Sequence, residues 1–203
     1  RNPPLIEIER AHMTTRHTDI DAPDGNPIAG QGNPLLDFSG LPRFADFDPA
    51  LVTPAIDALL EQARAAVAQA ERPETPASWE AFVEPLEDVT ERLGRAWGLV
   101  GHLNGVADAK PLREAYNANL PKVTQFWTAL GQNPALYAKY KALHDSAAFA
   151  TLSPARQRIV ENALRDFRLG GAELQSPARE RFAEIQDLQA QHAQKFSENV
   201  LDA

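Results

Sequence analysis

The stretch "LSPARQRIVENALRDFRLGG" (residues 152–171) carries the start, period and stop signals of one α-helix. Ser153 is a preferred amino-terminal cap, Pro154 suits a first helical turn, and Gly170 with Gly171 ends the pattern. Apolar residues recur between these limits at helical spacing, at Ile159, Val160, Ala163, Leu164 and Phe167. The stretch therefore predicts a capped amphipathic helix that packs one face against a core.

The same pattern extends over the chain from Asp48 onward. Helix starts are predicted beside a cap residue or a first-turn proline, at Pro54, Ser78, Pro111, Pro134 and Pro177. Pro85 is expected to break or kink the second helix, and Pro121 to bend the third. No strand pattern and no fixed-period repeat is evident. The predicted fold class is all-α, a multi-helix bundle or array without appreciable sheet.

Residues 1–32 differ in composition from the rest of the chain. The segment "HTDIDAPDGNPIAGQGNP" (residues 17–34) is rich in Gly, Pro, Asp and Asn and has no hydrophobic period. Residues 1–32 are therefore predicted to be a disordered leader. Met13 is the only methionine, so residues 1–12 are either vector-derived or upstream sequence, or a short extended segment of the natural chain.

Composition and charge exclude several classes of function. The chain of 203 residues has no cysteine, which excludes a disulfide framework and a thiol nucleophile and fits a reducing cytoplasm. Its net charge is −8, with 28 acidic residues against 20 basic ones that are scattered among them. Nucleic-acid binding normally requires a basic face, so it is not expected. No apolar run has the length of a membrane span, so a cytoplasmic protein without a membrane partner is predicted.

The stretch "AWGLVGHLNGVADA" (residues 96–109) contains a histidine and an asparagine in an apolar setting. At about 100° per residue, His102 projects beside Glu91 and Arg95 on the polar side of the helix. A surface histidine is therefore predicted rather than a ligand or a catalytic base. Asn104 points with the apolar residues, and we expect it to be buried and bonded to a neighbouring backbone.

Four glycines of the same helix lie on one face, at Gly94, Gly98, Gly101 and Gly105. Glycine inside a helix costs about 1 kcal/mol relative to alanine, so four on one face favour a close approach by another group. Tight packing against a second helix is the prediction, and the wall of a substrate channel is the alternative.

No constellation of catalytic or metal-ligating residues is found in the sequence. The five histidines form no H-E-x-x-H pair, and the motifs of serine hydrolases, phosphate loops and dinucleotide-binding loops are missing. A calcium loop with its glycine at Gly25 would place Ile20 and Ala22 where oxygen ligands belong. Carboxylate pairs such as Glu87 and Asp88 are typical of solvated helix faces. The chain is predicted to contain no catalytic, cofactor-binding or metal-binding residue.

Several segments of the chain resemble a known family. "HLNGV" (residues 102–106) followed by "LREAY" (residues 112–116) and "NALRDFRL" (residues 162–169) is similar to the amino-terminal region of the thimet oligopeptidase family of zinc metallopeptidases. The likeness runs from Asn33 to Ala203.

The resemblance implies that residues 33–203 form the helical amino-terminal domain of a two-domain oligopeptidase, truncated before its catalytic domain. In that family a deep channel admits short peptides. The zinc ligands of the family, an H-E-x-x-H helix and a downstream glutamate, lie beyond this region, so no catalytic or metal-binding residue is carried over. The resemblance implies zinc and peptide partners for the full-length parent only, and a segment that is inactive alone.

A class without catalysis is also consistent with the sequence, namely a stand-alone helical binding or scaffold module. The last predicted helix bears on this choice, because Phe182, Ile185, Phe196 and Val200 fall towards one side of it. If the chain is one part of a larger enzyme, we expect this apolar stripe to be exposed or to mediate self-association.

Overall fold

The computed structural model describes residues 32–203, so the predicted leader of residues 1–32 lies outside the described residues except for Gly32. Six α-helices follow one another in the described range: α1 Val52–Glu71, α2 Glu84–Val106, α3 Lys110–Gly131, α4 Pro134–His144, α5 Pro154–Gly170 and α6 Ala178–Leu201. Three-residue 3₁₀ turns precede α1 and α5, and none of the described residues forms a β-strand. The predicted all-α class is confirmed.

The predicted caps act where the sequence places them. The Ser153 hydroxyl accepts the Arg156 backbone N–H at 3.4 Å, and the Ser78 hydroxyl accepts that of Ala81 at 3.2 Å. These contacts satisfy amide donors that the first turn of a helix otherwise leaves unpaired. Gly171 ends α5 with a φ of 93°, a left-handed conformation that favours glycine.

Two of the prolines act differently from one another. A π-helical turn, Trp79–Val83, precedes α2, and Pro85 lies in the first turn of α2 itself. The expected break at Pro85 therefore takes the form of a change of helix type. Pro121 lies inside α3, which continues to Gly131.

The helices enclose two hydrophobic cores. The first lies among α1, α2 and α3, and its buried members include Ile56, Leu60, Leu93, Val100 and Val123. The second lies among the π-helical turn, α4 and α5, and its buried members include Phe82, Leu136, Tyr140, Val160 and Phe167. Ala70 of α1 and Leu86 of α2 belong to the second core, so these two long helices join both. Ile159 of the predicted α5 stripe is exposed, because it lies about 100° around the helix from Val160.

Helix α6 packs against α3 through polar contacts. The Arg113 guanidinium lies 2.9 Å from the Asp202 carboxylate, and the Asn117 amide donates to Glu198 at 2.7 Å. No residue of α6 is buried. Towards the end of α6 its apolar side faces solvent, where Phe196 is 70% and Val200 60% exposed, whereas Phe182 near its start is only partly exposed. The expectation of an exposed apolar stripe on this helix is therefore confirmed for Ile185, Phe196 and Val200 but not for Phe182.

The close contact that the glycines make is between α3 and α5. A Cβ atom added to Gly170 would lie 2.9 Å from the carbonyl oxygen of Gly131, so the two backbones meet directly. The prediction that the glycine face of α2 packs against another helix is wrong for three of its four glycines, whereas a Cβ at Gly101 would lie 3.8 Å from the Tyr116 ring of α3. A Cβ at Gly94, Gly98 or Gly105 would meet nothing within 4 Å. The spacing alone cannot say whether another helix is present, so the open face leaves the alternative of a channel wall in place.

This difference predicts opposite effects for two alanine substitutions. Gly170→Ala should destabilise the fold by about 1–3 kcal/mol, because the methyl group overlaps a backbone oxygen that cannot rotate away. Gly98→Ala should stabilise it by about 0.5–1 kcal/mol, because it improves helix propensity at an open site. Urea unfolding of both variants checks this, and a loss of stability in Gly98→Ala would contradict the open face.

Candidate functional site

Two adjoining cavities of about 520 and 550 Å³ form a groove among the helices. Trp127, Gly131 and Asp166 line both cavities, so we call the whole surface the Trp127 groove. The first cavity lies among α2, α3, α4 and α5, and the second among α3, α5 and α6. The two have volumes in the range of small-molecule and peptide side-chain sites.

Local geometry places the groove where α3 meets α5. Trp127 and Gly131 are four residues apart and therefore share one face of α3. Gly131 is also the residue that the backbone of Gly170 touches. The contact brings Asp166, one turn earlier on α5, to the same edge of the groove as Trp127. Trp127 remains 37% exposed there.

The first cavity combines apolar walls with acidic residues. Its charged lining residues are Glu87, Glu91 and Asp166, and no lysine or arginine of the described range lines it. Glu91 is paired with Arg95 at 2.6 Å and Asp166 with Arg165 at 2.9 Å. These two carboxylates therefore have counter-charges within the domain.

Glu87 has a different environment from the other two. Its carboxylate accepts a hydrogen bond from the Tyr140 hydroxyl at 3.3 Å and forms no ion pair with any residue in 32–203. Although Glu87 is an exposed residue, partial desolvation of its carboxylate beside the apolar walls raises its pKa above the ordinary value, with the Tyr140 hydrogen bond opposing the effect and Asp88 adding to it. Burial of the Tyr140 side chain itself, together with the Glu87 carboxylate beside it, raises the pKa of Tyr140. Glu87 is therefore a carboxylate without a counter-charge at an apolar cavity.

Helical spacing connects the first cavity to the open glycine face. Glu87, Glu91, Gly94 and Gly98 follow one another at intervals of four, three and four residues, so they share one face of α2. Gly101 and Gly105 continue the same series. This face begins at the cavity and runs towards the end of α2, and at Gly101 the Tyr116 ring of α3 lies beside it.

The histidines lie apart from the groove. His102 is exposed, as predicted, with its ring 6.3 Å from that of Phe44. His144 contacts Asp145 at 3.0 Å, and His192 is exposed. His12 and His17 lie outside the described residues. Among residues 32–203 no three His, Asp or Glu side chains are grouped so as to hold a metal ion.

Asn104 only partly follows its prediction. The side chain is buried, at 6% exposure, because it points with the apolar face of α2. The expected bond to a neighbouring backbone is absent, since its Oδ1 has no hydrogen-bond partner in the described part of the chain. The helical period of about 100° per residue correctly predicts the direction of the Asn104 side chain. Its hydrogen-bond partner could not be predicted in this way, because it depends on how other helices pack.

The Trp127 groove itself was missed by sequence reasoning. Glu87 was interpreted as one of an ordinary solvated pair with Asp88. Its distinguishing contact, Tyr140, is 53 residues further along the chain. No local signal joins these positions, because the cavity is assembled from four helices.

No helix in the described range is long and apolar enough to span a bilayer.

The six helices and the Trp127 groove define a class of protein, namely an all-helical domain with a groove that has apolar walls and acidic residues in its lining. A sequence profile of the neurolysin/thimet oligopeptidase N-terminal domain matches residues 56–179. The chain belongs to this family.

Similarity to individual proteins extends further along the chain. It is 40% identical over 171 residues to oligopeptidase A of Haemophilus influenzae, which covers 84% of this chain and 25% of that protein. It is 40% identical to the probable cytosolic oligopeptidase A of Arabidopsis thaliana, covering 84% and 24%, and 39% identical to the organellar oligopeptidase A of that plant, covering 84% and 22%. The chain thus spans about a quarter of the length of these relatives.

The raised pKa of Glu87 predicts a pH-dependent stability difference for Glu87→Gln. An acid whose pKa is raised by folding contributes stability below its unfolded pKa, near 4.3, and loses it as pH rises through the folded pKa. Glutamine imitates the protonated form and can still accept from Tyr140. The variant should therefore be more stable than the parent at pH 7, by less than about 1 kcal/mol, and equal to it below about pH 4.

The matched control is Glu61→Gln, which removes the same charge from an exposed position on α1 outside the cavity. Thermal unfolding between pH 3 and pH 8 measures the difference. Other groups facing Glu87 are Asp88 and Glu91 on α2, Tyr140 on α4 and Asp166 on α5, and they are unchanged in both variants. Equal behaviour of the two variants would mean that Glu87 is an ordinary solvated carboxylate.

Proposed function

We propose that this chain is the amino-terminal helical segment of a zinc-dependent oligopeptidase that acts on short peptides, and that it forms a wall of the substrate channel without being catalytic itself. The observation that supports this most is the match of 84% of the chain to about a quarter of proteins named oligopeptidase A. The proposed location is the cytoplasm, as the name of one relative says of that protein.

The proposed wall is the continuous face of α2 together with the Trp127 groove. Gly94 and Gly98 present backbone rather than side chains to solvent, which suits the passage of an extended peptide close to the helix. Trp127 and Phe167 offer apolar surface to peptide side chains. Fixed walls of this kind admit a narrow chain and exclude folded proteins by size.

Zinc in the proposed parent would activate water or polarise the scissile carbonyl. The donor set of the described residues does not fit a zinc site, because no three suitable side chains come together in residues 32–203. We therefore assign no metal-binding or catalytic step to this chain. Its proposed contribution is to bind and orient peptide.

A stand-alone helical binding module remains the second candidate. The observation in its favour is that the chain encloses two cores of its own, with Leu60 and Tyr140 among the buried residues. The exposed side of α6 favours the larger enzyme, because Phe196 and Val200 are apolar residues left uncovered.

The open reading frame that encodes the chain distinguishes the two candidates. We expect an H-E-x-x-H motif within a few hundred codons after Ala203. The full-length product should then contain about one zinc per chain and cleave a quenched fluorescent peptide, whereas the 203-residue chain should do neither. A stop codon directly after Ala203 would favour the binding module.

The wall is tested in that full-length product by Gly98→Trp. A large side chain on the open face should lower kcat/KM severalfold, and more for longer peptides than for shorter ones, because they occupy more of the channel. Asp88→Trp is the control, since this exposed position lies on a different side of α2. Equal effects of both substitutions on peptides of all lengths would contradict the wall.

The exposed side of α6 predicts self-association of the isolated 203-residue chain. Burial of apolar surface contributes about 25 cal/mol per Å², which favours pairing of two such stripes. The double variant Phe196→Ser, Val200→Ser should remain monomeric at concentrations where the parent shows dimers by light scattering. Val106→Ser removes a comparably exposed apolar residue from α2 and should leave association unchanged. A parent that stays monomeric at all concentrations would refute this prediction.

A further inference from the structure

The first cavity of the Trp127 groove has the composition of a site for one particular kind of side chain. Its volume is about 520 Å³, and Leu86, Leu130 and Phe167 supply apolar walls. Trp127, partly exposed, stands where the two cavities join. The Glu87 carboxylate lies in the same lining, bonded to Tyr140.

One of the carboxylates that line this cavity has no cationic partner among the described residues. Three carboxylates line it, and the two that have cationic partners, Glu91 and Asp166, bond to Arg95 and Arg165 of their own helices. Within residues 32–203, Glu87 has only the neutral Tyr140 hydroxyl as a partner. Glu87 is exposed, so a cation from solution can reach it, and the low-polarity walls beside it concentrate its field. A positive charge is the complementary occupant.

The surroundings of Glu87 also indicate which kind of cation fits. A metal ion needs several oxygen or nitrogen ligands, and the described residues bring no such group together here. A lysine or arginine side chain instead has an aliphatic stem that suits Leu86 and Phe167 and a charged end that suits Glu87. The indole face of Trp127 can attract the same cation.

We infer that the first cavity binds the lysine or arginine side chain of a short peptide, with Glu87 as its counter-charge and Trp127 against its stem. The peptide as carrier rests on the proposed function, whereas the preference for a basic side chain rests on the cavity alone. The neighbouring residues of the peptide would continue into the second cavity, where Leu169 and Phe182 offer apolar contacts.

The experiment is a binding titration of the 203-residue chain with blocked tripeptides. Acetyl-Ala-Arg-Ala-amide carries one charge, and acetyl-Ala-norleucine-Ala-amide has a similar stem without it. Binding is followed through the indole N–H signal of Trp127 in ¹⁵N-labelled protein, assigned with Trp127→Phe. We expect the arginine peptide to bind about tenfold more tightly than the norleucine peptide, as a charge-assisted hydrogen bond implies.

Two charge variants locate the effect. Glu87→Gln should abolish the tenfold preference, and Asp88→Asn, with the same change in net charge outside the cavity, should retain it. Equal affinity for the two peptides, an equal loss in both variants, or binding that leaves the Trp127 signal unmoved would each overturn the inference. Because binding is measured without cleavage, an inactive full-length protein would refute the proposed function and leave this result standing.

Discussion

The direct contact between the backbones of Gly131 and Gly170 determines the shape of the groove. Helices normally keep their axes apart by the length of their side chains, and here neither helix has one at the point of contact. Any larger residue at Gly170 would meet the Gly131 carbonyl oxygen. It would move α5 outward, taking Phe167 and Asp166 with it. Both cavities and the second core therefore depend on two positions without side chains.

Helix positions and ends could be predicted from the sequence because they depend on residues only a few places apart. Ser78 and Ser153 cap the helices they were expected to cap, and Gly171 ends α5 in the left-handed conformation. The positions of His102 and of the apolar residues on α6 also follow from the helical period alone.

Contacts between helices could not be predicted in the same way. The glycine spacing in α2 predicts a close contact with another helix. The closest backbone contact is instead between Gly170 and Gly131, and the sequence identifies Gly170 only as a helix stop. Glu87 looked equivalent to Asp88 because only the fold brings Tyr140 to one of them. In both cases the deciding neighbour is distant in sequence, so residue type and period carry no information about it.

Helix α6 is held against α3 by polar contacts, so the stability of this attachment is separate from that of the two cores. The Arg113 hydrogen bonds hold the pKa of Asp202 below its usual range, and the Asn117 amide does the same for Glu198. Both contributions are present above the ordinary carboxylate pKa values and fade in acid. With no buried residue to retain it, α6 can separate from α3 while both cores stay closed. We therefore expect a sub-global unfolding step in which one edge of the second cavity is lost first, and screening of the Arg113–Asp202 ion pair by salt should make that step more frequent.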